Sequence, residues 1–290
     1  MELAARLPDE IERNIAAALA EDIGSGDLTA LLTPAGQPAR GIVVSREEAV
    51  LCGTAWFDAC FHKLDAQSRI RWHASDGARI HAGQMLCEIE ADTRALLTAE
   101  RPALNFLQLL SGTATATRKF VDAIAGTRAK IVDTRKTLPG LRLAQKYAVR
   151  CGGGTNHRLG LYDGILIKEN HIMAAGGVAP ALAQAGKIAV EGVFVQIEVE
   201  TLEQLGDALA AGAKMILLDN MDLAQMRKAV ALAAGRAVLE ASGGVDLSKV
   251  RAIAETGVDR ISIGSLTKDV RAVDLSLRHV ERPSGLPGQG

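Results

Sequence analysis

The second half of the chain contains short aliphatic runs at nearly even intervals. These runs begin near Lys130, Ile165, Val193, Met215, Val238 and Arg260. The run at residues 215–218 is apolar at every position, which is typical of a parallel strand that is covered on both faces. The intervals leave room for one helix after each strand, so the pattern predicts consecutive βα units and a parallel sheet.

Helix-capping residues stand between the predicted strands. Thr201 lies three positions before Gln204, which is the spacing of a capping box. Asp222 and Asp246 are placed to begin the next two helices, and we expect the second of these to start near Leu247. Strands and helices are therefore predicted to alternate through the second half.

Nearly every predicted strand ends in polar residues. These residues are Arg135, Lys136, Lys168, Glu169, Glu198, Glu200, Asp219, Asn220, Glu240, Ser242, Gly264 and Ser265. In a β/α barrel the carboxyl ends of all strands meet on one rim, where the active site lies. Because the runs are fewer than the eight strands of a complete barrel, we predict an incomplete, about six-stranded β/α barrel.

The first hundred residues have a different pattern. Apolar and polar positions alternate at residues 41–45 and 85–90, which predicts antiparallel strands. We expect a helix at residues 55–64 and a long helix from about Pro102 to Ala125, with Pro102 in its first turn. The chain is therefore predicted to be α/β, with an N-terminal α+β sandwich-like domain before the barrel. The predicted boundaries are residues 1–112 for the N-terminal domain, 113–272 for the barrel domain and 273–290 for a C-terminal tail that returns to the N-terminal domain.

Charge and cysteine content narrow the class of protein. Lys and Arg number 33 against 34 Asp and Glu, so a nucleic-acid-binding protein is not expected. The four cysteines have no CxxC spacing and the N-terminus has no signal-peptide pattern, so we expect reduced thiols and a cytoplasmic location. No apolar run reaches the roughly 20 residues of a membrane span.

Cations are concentrated between residues 133 and 171. Arg135 and Lys136 follow one predicted strand, His157 and Arg158 follow a run of glycines, and Lys168 ends the next strand. Such a cluster indicates a site for a polyanion, since guanidinium groups bind carboxylates and phosphates in a planar fork. An alternative role for Lys168 is Schiff-base formation with a carbonyl substrate. We favour the anion contact because other cations crowd the same segment.

Three carboxylates end adjacent strands opposite this cationic segment. They are Glu198, Glu200 and Asp219. We expect one of Glu198 and Glu200 to face the barrel rim. Carboxylates beside an anion site are expected to hold Mg²⁺ or to face a cationic transition state, with salt bridges between strand ends as the alternative.

Two late loops combine glycine with serine. Ser242, Gly243 and Gly244 precede the helix expected near Leu247, and Gly264 with Ser265 follows the last strand. Late barrel loops that lead into helix N-termini commonly bind a phosphate.

Several motifs together carry a resemblance to a known family. They lie at residues 21–29, 101–105, 111–115, 133–137, 155–158, 168–171, 198–200, 218–220 and 240–244. In combination they resemble quinolinate phosphoribosyltransferase, also called carboxylating nicotinate-nucleotide pyrophosphorylase, over almost the whole chain. The chain differs from the family pattern at Lys268 and Asp269, where histidine and then serine are common.

The resemblance implies a reaction and an assembly. Phosphoribose would pass from phosphoribosyl pyrophosphate to the nitrogen of quinolinate, giving nicotinate mononucleotide, pyrophosphate and CO2 in de novo NAD synthesis, with Mg²⁺ as the cofactor. The resemblance also implies a homodimer, or a higher oligomer, in which Arg101 reaches the partner's site. The alternatives are a nicotinate-type phosphoribosyltransferase without decarboxylation and a barrel aldolase that uses Lys168.

The same resemblance implies roles for individual residues. The substrate-binding residues would be Arg101, Thr134, Arg135, His157, Arg158 and Lys168. The phosphate-binding residues would be Lys136, Ser242, Gly243, Gly244, Gly264 and Ser265. The catalytic residues would be Lys136, Lys168, Glu198 and Asp219, of which Glu198 and Asp219 would also hold Mg²⁺, directly or through water.

Overall fold

The structure, a computed structural model, describes residues 3–280 of the 290-residue chain. The described residues form two compact units. Unit 1 comprises residues 3–116, Pro139–Gly152 and residues 270–280, and unit 2 comprises Thr117–Leu138 and Gly153–Asp269. The part of the predicted C-terminal tail at residues 281–290 lies outside the described residues.

Helices and strands alternate along most of the chain. The helices are α1 (Leu7–Ile23), α2 (Thr54–Leu64), α3 (Thr93–Ala123), α4 (Arg142–Cys151), α5 (Glu169–Ala175), α6 (Val178–Ile188), α7 (Leu202–Ala210), α8 (Leu223–Ala233), α9 (Val250–Ala254) and α10 (Ser265–Lys268), with 3-10 turns at Leu3–Arg6 and Ala30–Leu32. The strands are β1 (Pro38–Ser45), β2 (Ala49–Val50), β3 (Arg69–Trp72), β4 (Arg79–Ile80), β5 (Met85–Asp92), β6 (Lys130–Val132), β7 (Gly164–Ile167), β8 (Phe194–Val199), β9 (Met215–Asp219), β10 (Val238–Ser242), β11 (Arg260–Ser262) and β12 (Leu275–Val280).

Unit 1 is built around a four-stranded sheet in the order β12-β1-β5-β3, and every neighbouring pair in it is antiparallel. The alternation in β5 buries Cys87 and Ile89 in the same core as Trp56 and Phe61 of α2. Trp56 also donates its indole N–H to Asn14 of α1 at 3.0 Å. The antiparallel strands predicted for the first hundred residues are therefore present, and α2 begins within one residue of its expected start.

Helix α3 begins at Thr93, so the predicted start at Pro102 was wrong. Pro102 lies inside the helix, where it has no N–H to donate to the preceding turn. This loss is outweighed by burial, because the side chains that flank Pro102 along one face are in the core. Those side chains are Ala95, Leu96, Ala99, Ala103, Leu104 and Leu107. Tertiary packing thus decides where this helix begins, and the proline pattern alone does not.

Unit 2 contains a six-stranded parallel sheet in the order β6-β11-β10-β9-β8-β7. Its strands begin within one residue of the positions predicted from the aliphatic runs. Their central residues, such as Ile197, Ile216 and Ala241, are fully buried, as expected for strands that are covered on both faces. The predicted fold class, an α/β chain with an incomplete six-stranded barrel, is confirmed.

The helix caps predicted for unit 2 are confirmed in part. Asp222 and Gln225 form a complete capping box at α8. Thr201 accepts the N–H of Gln204 at 3.1 Å, but the Gln204 side chain bonds the N–H of Glu200, so that box is half formed.

The next helix, α9, begins at Val250 and not near Leu247 as predicted. The Asp246 carboxylate accepts the N–H groups of Ser248 and Lys249 at 2.9 and 3.1 Å, which holds this segment in a turn ahead of the helix. Among the described residues, no helix is both long enough and apolar enough to cross a membrane.

Candidate active site

A cavity of about 990 Å³ opens in unit 2 at the carboxyl ends of the parallel strands. It is lined by nearly all of the predicted site residues. These are Thr134, Arg135, Lys136, His157, Arg158, Lys168, Glu198, Asp219, Ser242, Gly243, Gly244, Gly264 and Ser265. Parallel strands place their carboxyl ends on one rim, which explains why residues far apart in sequence converge here. Arg101 is the exception, because it lies on α3 in unit 1, where its side chain is exposed.

Two arginines form the most cationic part of the cavity. Arg135 follows β6, and Arg158 lies in the loop before β7, where its Nη1 donates to the carbonyl of Gly164 at 2.9 Å. Burial, and then the charge of Arg135, lower the pKa of Arg158 below its ordinary value. Two guanidinium groups that disfavour each other's charge are stabilised when an anion binds between them.

The imidazole of His157 is buried and its tautomer is defined by its partners. Its Nδ1 accepts the backbone N–H of Arg158 at 2.8 Å, so Nδ1 carries no proton. Its Nε2 lies 2.8 Å from Oε1 of Gln196, which therefore accepts the Nε2–H. The ring faces the cavity as a neutral group, and the cationic imidazole expected from the sequence is not what these contacts favour.

The loop that carries His157 is held by hydrogen bonds to Asp133. This carboxylate is fully buried at the end of β6. It accepts the N–H of His157 at 2.8 Å and the side-chain amide of Asn156 at 2.7 Å. A buried carboxylate with two such donors holds the loop in one conformation.

Lys168 and Glu198 form an ion pair across the cavity wall. Lys168 Nζ lies 2.9 Å from Glu198 Oε2, with 51% of the lysine side chain and 14% of the glutamate side chain exposed. Glu200, two residues along, is exposed and does not line the cavity; its N–H bonds Gln204. Of the two glutamates, Glu198 is therefore the one that faces the cavity, because it lies within β8, whereas Glu200 follows the end of that strand at Val199.

Asp219 lies at the end of β9 beside Glu198. Burial, and then the negative charge of Glu198, raise the pKa of Asp219, while Lys168 and Lys136 act in the opposite sense. Asn220 donates its side-chain amide to Asp219 Oδ2 at 2.8 Å and fixes the carboxylate. Two neighbouring carboxylates of like charge are a donor set suited to a hard cation such as Mg²⁺.

The two glycine–serine loops bring backbone close to side chains of the cavity. Gly243 has φ +104°, and a Cβ built there would overlap the side-chain oxygen of Asn220. A Cβ at Gly264 would lie 3.0 Å from Cδ of Lys136, so this glycine makes room for the lysine. Thr267 fixes the same region by donating its hydroxyl to the carbonyl of Lys136 at 2.7 Å.

Helix N-termini contribute less to these loops than the sequence suggested. The helix after Gly244 starts only at Val250, and α10, which begins at Ser265, has four residues. Any phosphate contact here would therefore depend on loop N–H groups and the Ser242 and Ser265 hydroxyls.

Several residues at the cavity were not predicted from the sequence to belong to the site. Gln196 is fully buried and contacts His157, and its position two residues before Glu198 on β8 could have indicated that it faces the same side. Glu240 was noted only as a strand-end residue. It is fully buried, ion-paired with Arg260 at 2.8 Å and hydrogen-bonded by Ser262. Lys268 and Asp269 also line the cavity and pair with each other at 3.3 Å.

Comparison with known families agrees with this geometry. The family model described as Quinolinate phosphoribosyl transferase, C-terminal domain, matches residues 113–278, and the corresponding N-terminal domain model matches residues 27–111. The chain belongs to the quinolinate phosphoribosyltransferase family.

Individual family members are similar over nearly the whole chain. The carboxylating nicotinate-nucleotide pyrophosphorylase of Mycobacterium leprae is 45% identical over 279 residues, which cover 93% of this chain and 97% of that protein. The mitochondrial decarboxylating quinolinate phosphoribosyltransferase 2b of Nicotiana tabacum is 38% identical over 281 residues, covering 90% and 80%. The solved nicotinate-nucleotide pyrophosphorylase of Francisella tularensis superimposes with a TM-score of 0.91 at 46% identity, covering 94% of this chain and 96% of that one. The predicted family and pentosyltransferase class are confirmed.

Proposed function

We propose that this chain transfers phosphoribose from phosphoribosyl pyrophosphate to the ring nitrogen of quinolinate. Pyrophosphate and CO2 leave, and nicotinate mononucleotide remains, as a step of de novo NAD biosynthesis in the cytoplasm. The family relatives carry names for this activity. The observation that carries the proposal is a single cavity in which Arg135, Arg158 and Lys168 lie together with Glu198 and Asp219.

Arg135, Arg158 and Lys168 form the binding site for the pyridine dicarboxylate, which we call the cationic seat. Arg135 and Arg158 lie close enough for the charge of one to lower the pKa of the other, so a dianion between them relieves their repulsion. Lys168 adds a point charge at the edge of the same seat. His157, as a neutral ring, would contribute shape and polarity there and no net charge.

The carboxylates face the sugar. When pyrophosphate leaves, positive charge develops at the anomeric carbon, and the negative charges of Glu198 and Asp219 stabilise it in the transition state. Lys136 neutralises the departing pyrophosphate from the loop after β6, where Gly264 makes room for its side chain. No covalent nucleophile on the protein is needed.

The 5′-phosphate would bind at the two late loops. Ser242, Gly243 and Gly244 end β10, and Gly264 with Ser265 follow β11, so both loops lie on one side of the cavity. The positive φ of Gly243 aims backbone N–H groups in a way that residues with a Cβ rarely allow.

Glu198 and Asp219 would hold Mg²⁺, directly or through water. The charge of Glu198 contributes to the raised pKa of Asp219, so a divalent cation bound by both carboxylates would relieve their repulsion. Bound Mg²⁺ supplies neutralisation of the pyrophosphate charge. The residues present therefore fit the cofactor that the resemblance implies.

Decarboxylation follows from the chemistry of the transferred ring. Once the ring nitrogen carries ribose, the pyridinium accepts the electron pair of the bond to the adjacent carboxylate. That carbon–carbon bond breaks, CO2 leaves, and the ring carbon takes up a proton. The cationic seat is required to orient and desolvate this carboxylate, and no further acid is needed to expel it.

The Schiff-base aldolase is disfavoured by the surroundings of Lys168. Half of its side chain is exposed, and its ammonium group pairs with Glu198 at 2.9 Å. A Schiff-base lysine instead needs a desolvated, uncharged amine. Transfer to nicotinate, which has one carboxylate, is disfavoured by the number of cations in the seat.

In this proposal a second copy of the chain completes the seat with its Arg101. The arginine is exposed on α3, and the resemblance implies a homodimer in which it reaches the other site. A mixture of Arg101→Ala and Lys168→Ala chains should then regain part of the activity, because one site in each heterodimer has both residues. Heterodimers that stay inactive would show that each chain has a self-contained site.

The acceptor specificity tests the proposal. Purified chain should transfer phosphoribose to quinolinate and not measurably to nicotinate, and Arg135→Ala should abolish transfer with an unchanged circular dichroism spectrum. Equal use of both acids, or near-normal activity in the variant, would contradict the assignment of the cationic seat.

A further inference from the structure

A second group of reactive side chains lies in unit 1, and none of its members lines the cavity described above. The sulfur atoms of Cys52 and Cys151 and a carboxylate oxygen of Asp76 all lie within 4.8 Å of one another. Cys52 directly precedes the loop into α2 and is fully buried, whereas Cys151 ends α4 and is partly exposed. Such a pair is chemically distinct from an isolated core cysteine, because each sulfur is within reach of the other.

The carboxylate oxygens of Asp76 already accept hydrogen bonds that stabilise the local fold. Its carboxylate accepts the N–H groups of Gly53 and Thr54 at 3.1 and 3.2 Å and caps the N-terminus of α2. It also accepts the hydroxyl of Tyr147 at 2.8 Å. A metal ion at this place would have to displace one of these donors, so the carboxylate is better explained as a cap than as a ligand.

With Asp76 so occupied, the two thiols remain as the reactive groups. The backbone of Cys52 is held by Ser111, whose hydroxyl accepts the Cys52 N–H at 2.9 Å and donates to its carbonyl at 3.2 Å. Cys151 is fixed as the last residue of α4. Both sulfurs therefore project from hydrogen-bonded backbone, and they lie within 4.8 Å of each other.

The environments of the two sulfurs differ in a way that assigns separate roles. Burial is the main cause that raises the pKa of Cys52, whereas the hydrogen bond from Cys52 lowers the pKa of Cys151. The remaining cysteines, Cys60 and Cys87, are buried, and burial raises the pKa of Cys60 to about 12. Cys151 is thus the thiol that forms a thiolate most readily, and it is also the more exposed member of the pair.

We propose that Cys52 and Cys151 are a reversible oxidation site, which forms an intramolecular disulfide in the presence of a peroxide. The Cys151 thiolate attacks one peroxide oxygen, the O–O bond breaks, and hydroxide leaves, so that Cys151 becomes a sulfenic acid. The Cys52 sulfur then attacks the Cys151 sulfur, the S–O bond breaks, and a second hydroxide leaves. The hydroxides take the two thiol protons as water, while the sulfurs lose two electrons that the peroxide gains. A dithiol reductant reverses the reaction.

The experiment uses the full-length chain, purified under reducing conditions and treated with a small excess of hydrogen peroxide. The free thiols are then counted by alkylation under denaturing conditions, and a proteolytic digest is analysed by mass spectrometry. We expect two of the four thiols to be lost, a peptide pair that links Cys52 to Cys151, and full recovery after dithiothreitol. The outcome does not depend on the transferase activity proposed above.

Matched variants distinguish a specific Cys52–Cys151 disulfide from nonspecific oxidation of the cysteines. Cys151→Ala and Cys52→Ala should each prevent the link, and Cys60→Ala should leave it unchanged. Since Cys52 is fully buried and its variant could fail to fold, Cys151→Ala and the wild-type digest decide the matter without it. Irreversible oxidation of Cys151 with Cys52 still free, or links between other cysteines, would overturn the proposal. Stoichiometric zinc that protects both thiols in the purified chain would also overturn it and establish a metal site instead.

Discussion

Nζ of Lys168 lies 2.9 Å from the Glu198 carboxylate, so the cation that we propose for the acid substrate and the anion that we propose for the sugar are ion-paired with each other. In the proposed reaction, substrate binding has to share or replace this contact. The pair would thus couple the proposed binding site of the dicarboxylate to that of the ribose.

Replacing Lys168 with alanine removes one charge from the seat and leaves Glu198 without this partner. We expect kcat/KM for quinolinate to fall by about 10- to 100-fold, the range for a lost hydrogen bond to a charged group. Steady-state kinetics with each substrate varied in turn measures this. Lys187→Ala, at an exposed position of α6, is the control and should behave like the wild type. A Lys168→Ala enzyme that also behaves like the wild type would exclude the lysine from the site.

The contact between His157 and Gln196 predicts a defined tautomer. Because Nδ1 accepts a backbone N–H, the neutral ring should carry its proton on Nε2 and donate it to Gln196. Nitrogen NMR of histidine-labelled protein distinguishes the two tautomers. Gln196→Leu removes the acceptor of this N–H, so the Nε2–H resonance should shift while the tautomer stays the same, and kcat/KM for quinolinate should fall by about tenfold, since a buried donor loses its acceptor. A ring protonated on Nδ1 in the wild type would contradict this geometry.

Asp219→Asn should raise the stability of the chain and lower its activity. The pKa of Asp219 is raised in the folded chain, so its charged form is less favourable there than in the unfolded chain. The charged carboxylate therefore lowers the free energy of unfolding at pH values above the pKa that Asp219 has in the folded chain. Below the pKa that it has in the unfolded chain, the carboxyl is neutral in both states and this effect is absent. The variant should therefore have a higher Tm than the wild type near neutral pH, with the difference shrinking as the pH falls through the raised pKa.

Activity should change in the opposite direction, because in the proposed reaction the same carboxylate stabilises the developing positive charge. We expect Asp219→Asn to lower kcat by more than about 100-fold. Thermal unfolding across a pH series and initial rates test both statements. A variant that is less stable than the wild type at neutral pH would contradict the assigned cause of the pKa shift.

Gly243→Ala tests the backbone of the first phosphate loop. A Cβ at Gly243 overlaps the Asn220 side chain and requires a backbone conformation with φ +104° that alanine rarely adopts. We expect a higher KM for phosphoribosyl pyrophosphate and a lower Tm. Gly206→Ala is the matched control, because Gly206 lies in α7 with open space around it and should gain about 0.5–1 kcal/mol of stability. Unchanged substrate affinity in Gly243→Ala would remove this loop from the phosphate site.

The strands of unit 2 could be predicted because their sequence pattern is local. Each aliphatic run is followed by a polar residue, and the rule that strand ends meet on one rim then brings Arg135, Lys168 and Asp219 together. The start of α3 could not be predicted, since burial of its face against the core of unit 1 overrides the proline at Pro102. Local signals describe what one segment prefers, whereas packing partners are supplied by distant segments.

The supporting residues of the site escaped prediction for a related reason. Gln196 and Glu240 lie inside strands and look like ordinary polar substitutions until the fold places them beside His157 and Arg260. The hydrogen bond of His157 Nε2 likewise depends on a partner 39 positions away in the chain. The sequence predicts residues that the structure brings into one cavity, and the structure identifies the buried groups that hold them.

The most direct test of the proposed reaction is to follow both products at once. Purified chain is mixed with quinolinate labelled in the carboxylate beside the ring nitrogen, phosphoribosyl pyrophosphate and Mg²⁺, and released CO2 and nicotinate mononucleotide are measured in the same samples. We predict that the two appear in equal amounts and that neither appears without phosphoribosyl pyrophosphate. Mononucleotide formation without CO2, or no reaction with quinolinate, would contradict a decarboxylating phosphoribosyl transfer in the cavity of unit 2.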